Sequence, residues 1–231
     1  MKKTSLCQAP SQTETMHGFL YLAFELLFLP SLLRWCNGQI SPGLSMAELN
    51  FLYYLLNFLA VLFLFHGFLG NNLTQVTHHP AYFCQAVILG LAAYYACFYA
   101  LDFVMDFLVP SFSNYNDAAI AEMSRGGFFL MLVGTVILVP VAEECFFRGL
   151  IFRNLYGKSR WAAYLVSMVA FAAIHILGYI GQYSPLELIV AVLQYLPAGL
   201  CLGWAYQKSG TIFAPIAMHA CINYLSIQRL R

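Results

Sequence analysis

Ionisable and amide side chains recur in the C-terminal half of this 231-residue chain where nearly every neighbour is apolar. Glu143 and Glu144 stand together in the run Pro140-Val141-Ala142-Glu143-Glu144-Cys145-Phe146-Phe147-Arg148-Gly149. His175 closes Phe171-Ala172-Ala173-Ile174-His175, and the last apolar segment carries His219 and Asn223. A carboxylate near the centre of an apolar membrane helix costs roughly 2.5–3.5 kcal/mol even on lenient insertion scales, so each such group needs a partner or a function.

Spacing divides the set. Glu144 and Arg148 are four apart on one helical face, acid first, which is the better order for an ion pair. Glu143 is turned about 100° away and is free to point elsewhere. Two carboxylates this close resist ionising together, so a paired Glu144 beside a tunable Glu143 suits acid/base work. His219 and Asn223 also share a face. On these residues alone, a structural polar cluster between helices competes with a catalytic site.

Depth shifts that balance. Counted from the helix ends at ~1.5 Å per residue, Glu143 lies ~14 Å deep, His175 ~21 Å and His219 ~12 Å. All fall near the middle of a ~30 Å hydrocarbon layer, where each needs a polar neighbour. Three segments therefore bring polar groups to one level. A glutamate beside a histidine can hold and deprotonate a water. A second histidine with an asparagine amide offers donors to a developing oxyanion. That combination suits amide hydrolysis inside the membrane. A nucleophile mechanism is weaker, because no serine or cysteine has a base at helical spacing and apolar surroundings leave Cys145 inert. Glu143, His175 and His219 would also make a two-histidine, one-carboxylate metal set, but no HExxH pair is present, and we expect neither metal nor cofactor.

The elements that must position these groups are hydrophobic helices. Sixty-one per cent of the residues are hydrophobic and 9% charged, with mean hydropathy +0.71. Soluble domains carry about 25% charged residues, so the expected fold is all-α, a polytopic transmembrane helical bundle. Net charge +1 gives no basic surface for nucleic acid. The seven cysteines are scattered without a CxxC pair and read as apolar fillers. Apolar segments at 17–36, 49–69, 80–109, 127–152, 161–181, 186–206 and 211–227 predict about seven spans (seven or eight) in one membrane domain, residues 1–231. The first lacks a cleavage site and reads as a retained span. Ser184-Pro185-Leu186-Glu187 predicts a capped helix start, with Glu187 structural.

With seven spans, one face collects Lys2, Lys3, Arg153, Lys158, Arg160 and Lys208, and the other Arg34, Arg125, Arg229 and Arg231. The excess predicts a cytoplasmic N-terminus, with the end of the Glu143 helix at the cytoplasmic face. Asp102 and Asp106 read as the wetted end of a long helix, and Glu25 and His66 as structural. Gly199-x-x-x-Gly203 predicts close helix packing. Tyr94, Tyr95, Tyr99, Trp161, Trp204 and Tyr206 read as interface anchors and packing residues.

Glu143-Glu144-x-x-x-Arg148, Phe171-x-x-x-His175 and His219-x-x-x-Asn223, in this order on successive apolar segments, resemble the motifs of the CPBP family (CAAX protease and bacteriocin-processing, also called Abi) of intramembrane glutamic endopeptidases. The likeness covers a core of about residues 127–227. It implies that Glu143 and His175 activate water, that His219 and Asn223 stabilise the oxyanion, and that Glu144 and Arg148 shape the site. It implies a metal-free enzyme whose cavity opens to the cytoplasm, in a bacterial cell membrane. The expected partners are membrane lipids and a membrane-associated or lipidated peptide or protein substrate, in processing or self-immunity. The alternatives are a non-enzymatic immunity or scaffold protein and a metal-dependent protease. Substrate, cleavage site and oligomeric state are not legible in the sequence.

Overall fold

The computed structural model describes residues 6–110 and 112–229, and among these the chain forms helices and connections without a strand. Lys2, Lys3, Ser111 and Arg231 lie outside the described residues, and so do their shares of the charge and turn readings. The helices are α1 (Gln12–Leu27), α2 (Leu29–Asn37), α3 (Met46–Leu64), α4 (His66–His78), α5 (Pro80–Leu108), α6 (Tyr115–Tyr156), α7 (Arg160–Leu177), α8 (Pro185–Ser209) and α9 (Phe213–Arg229). The chain is an all-α polytopic bundle, as expected.

Helix starts follow local chemistry. Ser11 with Glu14, Ser45 with Glu48, and Ser184 with Glu187 form capping boxes, in which the serine oxygen takes an orphan N–H and the glutamate returns to the cap N–H. The expected role of Glu187 as a structural start is met. The first expected span is broken at Phe28, where α1 and α2 meet at 48°, with Pro30 in the first turn of α2.

The span count is smaller than expected. Among the described residues, five helices are long and apolar enough to cross a membrane, or six if α1 and α2 make one broken span, against about seven from the sequence. The shortfall is at the C-terminus. There, α9 has 17 described residues, short of the ~20 of a typical span, and carries His219, Asn223 and Arg229 among its apolar ones.

The glutamate helix α6 is the longest, at 42 residues, and is irregular. It kinks at Gly127, where a side chain would stand 2.7 Å from Ala47 Cβ. Gly134–Leu138 and Cys145–Phe152 widen into π-helix on either side of Val139–Glu144. Pro140 has no N–H to offer the carbonyl four residues back, and the first wide turn falls there. Such π turns gather at functional sites, because they re-aim side chains within a continuous helix.

Packing supports the glycine reading. A Cβ on Gly199 would come within 3.0 Å of the Met168 backbone, and one on Gly203 within 3.3 Å of Tyr164, so the glycines seat α8 against α7. Below Glu144 the bundle is sealed by Phe65, Phe68, Cys145, Leu150, Phe152 and Tyr206. The outer surface is apolar, with Phe107 84% and Trp161 85% exposed, as a lipid-facing wall requires. Asp102 and Asp106 are exposed near the end of α5, and His66 is exposed on α4.

Candidate active site

The expected polar groups converge. Glu143 from α6, His175 from α7, and His219 and Asn223 from α9 line one cavity of about 450 Å³. Glu144 and Arg148 stand behind its wall, with side chains wholly buried. Of the six site residues read from the sequence, four face the cavity and two support them.

The support is a bonded knot. Arg148 Nη1 donates to Glu144 Oε1 at 2.9 Å, the pairing that the i,i+4 spacing predicts. Arg148 Nη2 donates to the Gly199 carbonyl at 3.1 Å, and the guanidinium lies 4.6 Å from the Phe171 ring centroid. The same Glu144 oxygen meets His219 Nδ1 at 2.9 Å. One carboxylate thus ties α6 to α9, while its arginine ties α6 to α8 and packs on α7. Burying two opposite charges is tolerable here because each is paired and hydrogen-bonded.

Bond directions set the histidines. His175 Nδ1 lies 2.8 Å from the Phe171 carbonyl. A carbonyl only accepts, so Nδ1 carries the hydrogen and the neutral ring presents a bare Nε2. His219 Nδ1 likewise donates to Glu144, and its Nε2 is 4.0 Å from Glu143 Oε2. With Nδ1–H committed, His219 donates from Nε2 only when that nitrogen also carries a proton. Asn223 Nδ2 donates at 2.8 Å to the Thr135 carbonyl, inside the first π turn, and its second N–H remains for another acceptor.

Glu143 differs from its neighbour. Its side chain is 19% exposed, and Oε2 has no hydrogen-bond partner in the protein. A half-buried carboxylate aimed into a cavity is placed to hold a water or a substrate N–H. Cys145 is fully buried in the sealed core and does not reach the cavity. Among the described residues, no group of three or more His, Cys, Asp and Glu side chains is gathered at metal-ligand geometry.

Several cavity residues carry no motif in the sequence. Tyr54, Thr135 and Tyr195 line it through tertiary placement alone. Tyr94 also lines it, which corrects its reading as an anchor or packing residue only. Glu25 is buried and hydrogen-bonded by the Tyr53 hydroxyl, in keeping with a structural role, yet it stands in the same wall. An acid late in a first apolar helix is the signal that could have marked it.

The cavity lining runs toward one end of the bundle. Its polar rim is Asp102, Asn114, Asn116, Asp117, Gln194 and Arg229. These belong to the end of the bundle where α5 and α9 finish and α6 begins. Arg153, Lys158, Arg160 and Lys208 lie at the other end, where α6 and α8 finish and α7 begins. The cavity lining thus extends toward the end opposite the basic cluster.

Comparison with known proteins bears on the same region. Residues 125–225 match the family model described as Rce1-like, type II CAAX prenyl endopeptidase Rce1-like. All six site residues fall inside that match. An uncharacterized 24.3 kDa protein of Escherichia coli is 29% identical over 102 residues, covering 43% of this chain and 43% of the relative. The UPF0177 protein YxdF of Lactococcus lactis subsp. lactis (strain IL1403) is 30% identical over 87 residues, covering 38% of this chain and 42% of the relative. Less than half of each relative's length is therefore matched. No solved structure matches.

Proposed function

We propose, on the premise that residues 125–225 form an Rce1-like domain, that this protein is an intramembrane endopeptidase using a glutamate-activated water. The observation that carries the reading is the convergence of Glu143, His175, His219 and Asn223, from three helices, on one cavity. Glu143 takes a proton from the water, whose oxygen bonds to the scissile carbonyl carbon. His175, with Nδ1 committed and Nε2 bare, accepts a hydrogen bond from the same water. The charge moving onto the carbonyl oxygen is met by the second N–H of Asn223 and by His219 when Nε2 is protonated. Glu143 returns its proton to the departing nitrogen as the C–N bond breaks. Glu144 and Arg148 hold His219 and the helix seams.

The substrate class follows from the setting. A site set among membrane-spanning helices suits a membrane-associated or lipidated peptide, and the family description points to prenylated CAAX proteins. Bacteriocin processing and self-immunity are roles in which such cleavage would serve. For orientation, the basic bias supports a cytoplasmic Arg153–Arg160 end. Together with the mouth's position, it supports entry from the opposite face, which reverses the expected cytoplasmic mouth.

The test compares membrane peptides in cells carrying wild-type protein or Glu143→Gln. The variant accumulates uncleaved substrate, and purified variant cleaves that peptide roughly 100-fold more slowly or worse, the scale of a lost general base. Full cleavage by Glu143→Gln would end the assignment. Stoichiometric zinc in active purified protein would end the water-and-glutamate mechanism.

A further inference from the structure

His175 sits on the last turn of α7, two residues before the helix ends at Leu177. A terminal turn lacks following helix to brace it. The Phe171 carbonyl fixes one ring atom, and the Phe171 ring meets the imidazole only at a tilt, with centroids 4.7 Å apart and planes at 50°, so neither contact by itself sets the ring plane. We infer that Tyr195 is the positioning residue for His175, holding the imidazole plane by stacking. The inference rests on the reading of His175 as a group of the active site.

The geometry is that of a brace. The Tyr195 and His175 ring centroids are 4.3 Å apart with planes at 26°, a close, near-parallel stack. Tyr195 is itself held, because its hydroxyl donates to Asn114 Oδ1 at 3.2 Å. Asn114 is anchored twice more. Its Nδ2 donates to Gln194 Oε1 at 2.8 Å, and its Oδ1 caps α6 by accepting from the Asn116 and Asp117 N–H groups. The ring that braces His175 is therefore fixed to the start of the helix that carries Glu143. Through this connection α6, α7 and α8 set His175 and Glu143 in one frame. Tyr195 also lines the cavity, so the brace lies beside the reacting space.

Its test separates stacking from mere fold support. Purified protein in detergent micelles is treated with diethyl pyrocarbonate, and carbethoxylation of each histidine is followed by mass spectrometry. Losing the stack in Tyr195→Leu raises modification at His175 by about threefold to tenfold, the worth of an aromatic pair, and leaves His17 and His219 unchanged. Tyr195→Phe keeps the ring and stays within about threefold of wild type. On the peptide recovered from the Glu143→Gln comparison, Tyr195→Leu lowers kcat by a similar about threefold to tenfold factor with KM little changed, and Tyr195→Phe restores most of it. An unaltered His175 rate in Tyr195→Leu, or a Tyr195→Phe variant as impaired as Tyr195→Leu, overturns the inference. If Tyr195→Leu is not recovered folded, Tyr195→Met is put through the same comparison. A raised His175 rate in Tyr195→Leu with cleavage indifferent even to His175→Ala supports the brace and overturns the role of His175 in peptide cleavage.

Discussion

Glu143 and Glu144 are neighbours on one helix, yet they belong to two different halves of the molecule. From Cys145 to Phe152 the helix enters a core closed by Phe65, Phe68 and Tyr206, and the charges at its edge, Glu144 and Arg148, are wholly buried and paired. From Thr135 to Glu143 the same helix borders a cavity, and there Glu143 Oε2 has no hydrogen-bond partner in the protein. The sealed half uses polar groups to fix helices. The open half keeps them for another molecule. A rotation of about 100° between consecutive residues is enough to assign one carboxylate to each task.

This contrast can be broken from the sealed side with the largest effect. Arg148→Met leaves Glu144 buried without its cation, and removing one member of a buried pair costs about 3–5 kcal/mol. The expected result is loss of folded protein in detergent thermal melts, and a melt like wild type would show that the knot is not structural. From the open side, Glu143→Gln should remove cleavage and leave the melting midpoint within about 2 °C, since a cavity-facing carboxylate has no partner to lose. A large fall in midpoint would move Glu143 into the structural half.

The two ends can also be told apart by access. In a background without native cysteines, Asn116→Cys at the mouth and Gly157→Cys at the basic end should react with an impermeant maleimide on opposite sides of the membrane. Labelling of position 116 from outside intact cells supports the orientation proposed above, and labelling of 157 from outside reverses it. The smallest effect belongs to Glu122 and Arg125, an ion pair 74% and 78% exposed. Glu122→Gln should change stability by under about 0.5 kcal/mol, because water screens what burial amplifies in Glu144 and Arg148.

Much of the site was legible because burying charge in hydrocarbon is costly. Glu143, Glu144, Arg148, His175, His219 and Asn223 stood out as polar groups in apolar segments, and the i,i+4 spacing separated the anchored glutamate from the free one. The part in Thr135 and Tyr195 was not legible. Thr135 contributes a carbonyl, which every residue has, and Tyr195 is one aromatic among many. The candidate spans differ from the expected seven at α9, whose described length of 17 residues falls below the ~20 of a typical span.

The sequence by itself determined the all-α membrane class, the capped helix starts, the Glu144–Arg148 pair and which apolar segments carry the polar groups. These follow from composition and from the 3.6-residue period, both local properties of a chain. Only the tertiary structure decided that His219 bonds to Glu144, that π turns bring the Thr135 carbonyl to Asn223, that Tyr195 stacks on His175, and toward which end of the bundle the cavity lining extends. Each depends on how separate helices are rotated and offset against one another, which side-chain packing fixes and a one-dimensional pattern does not encode.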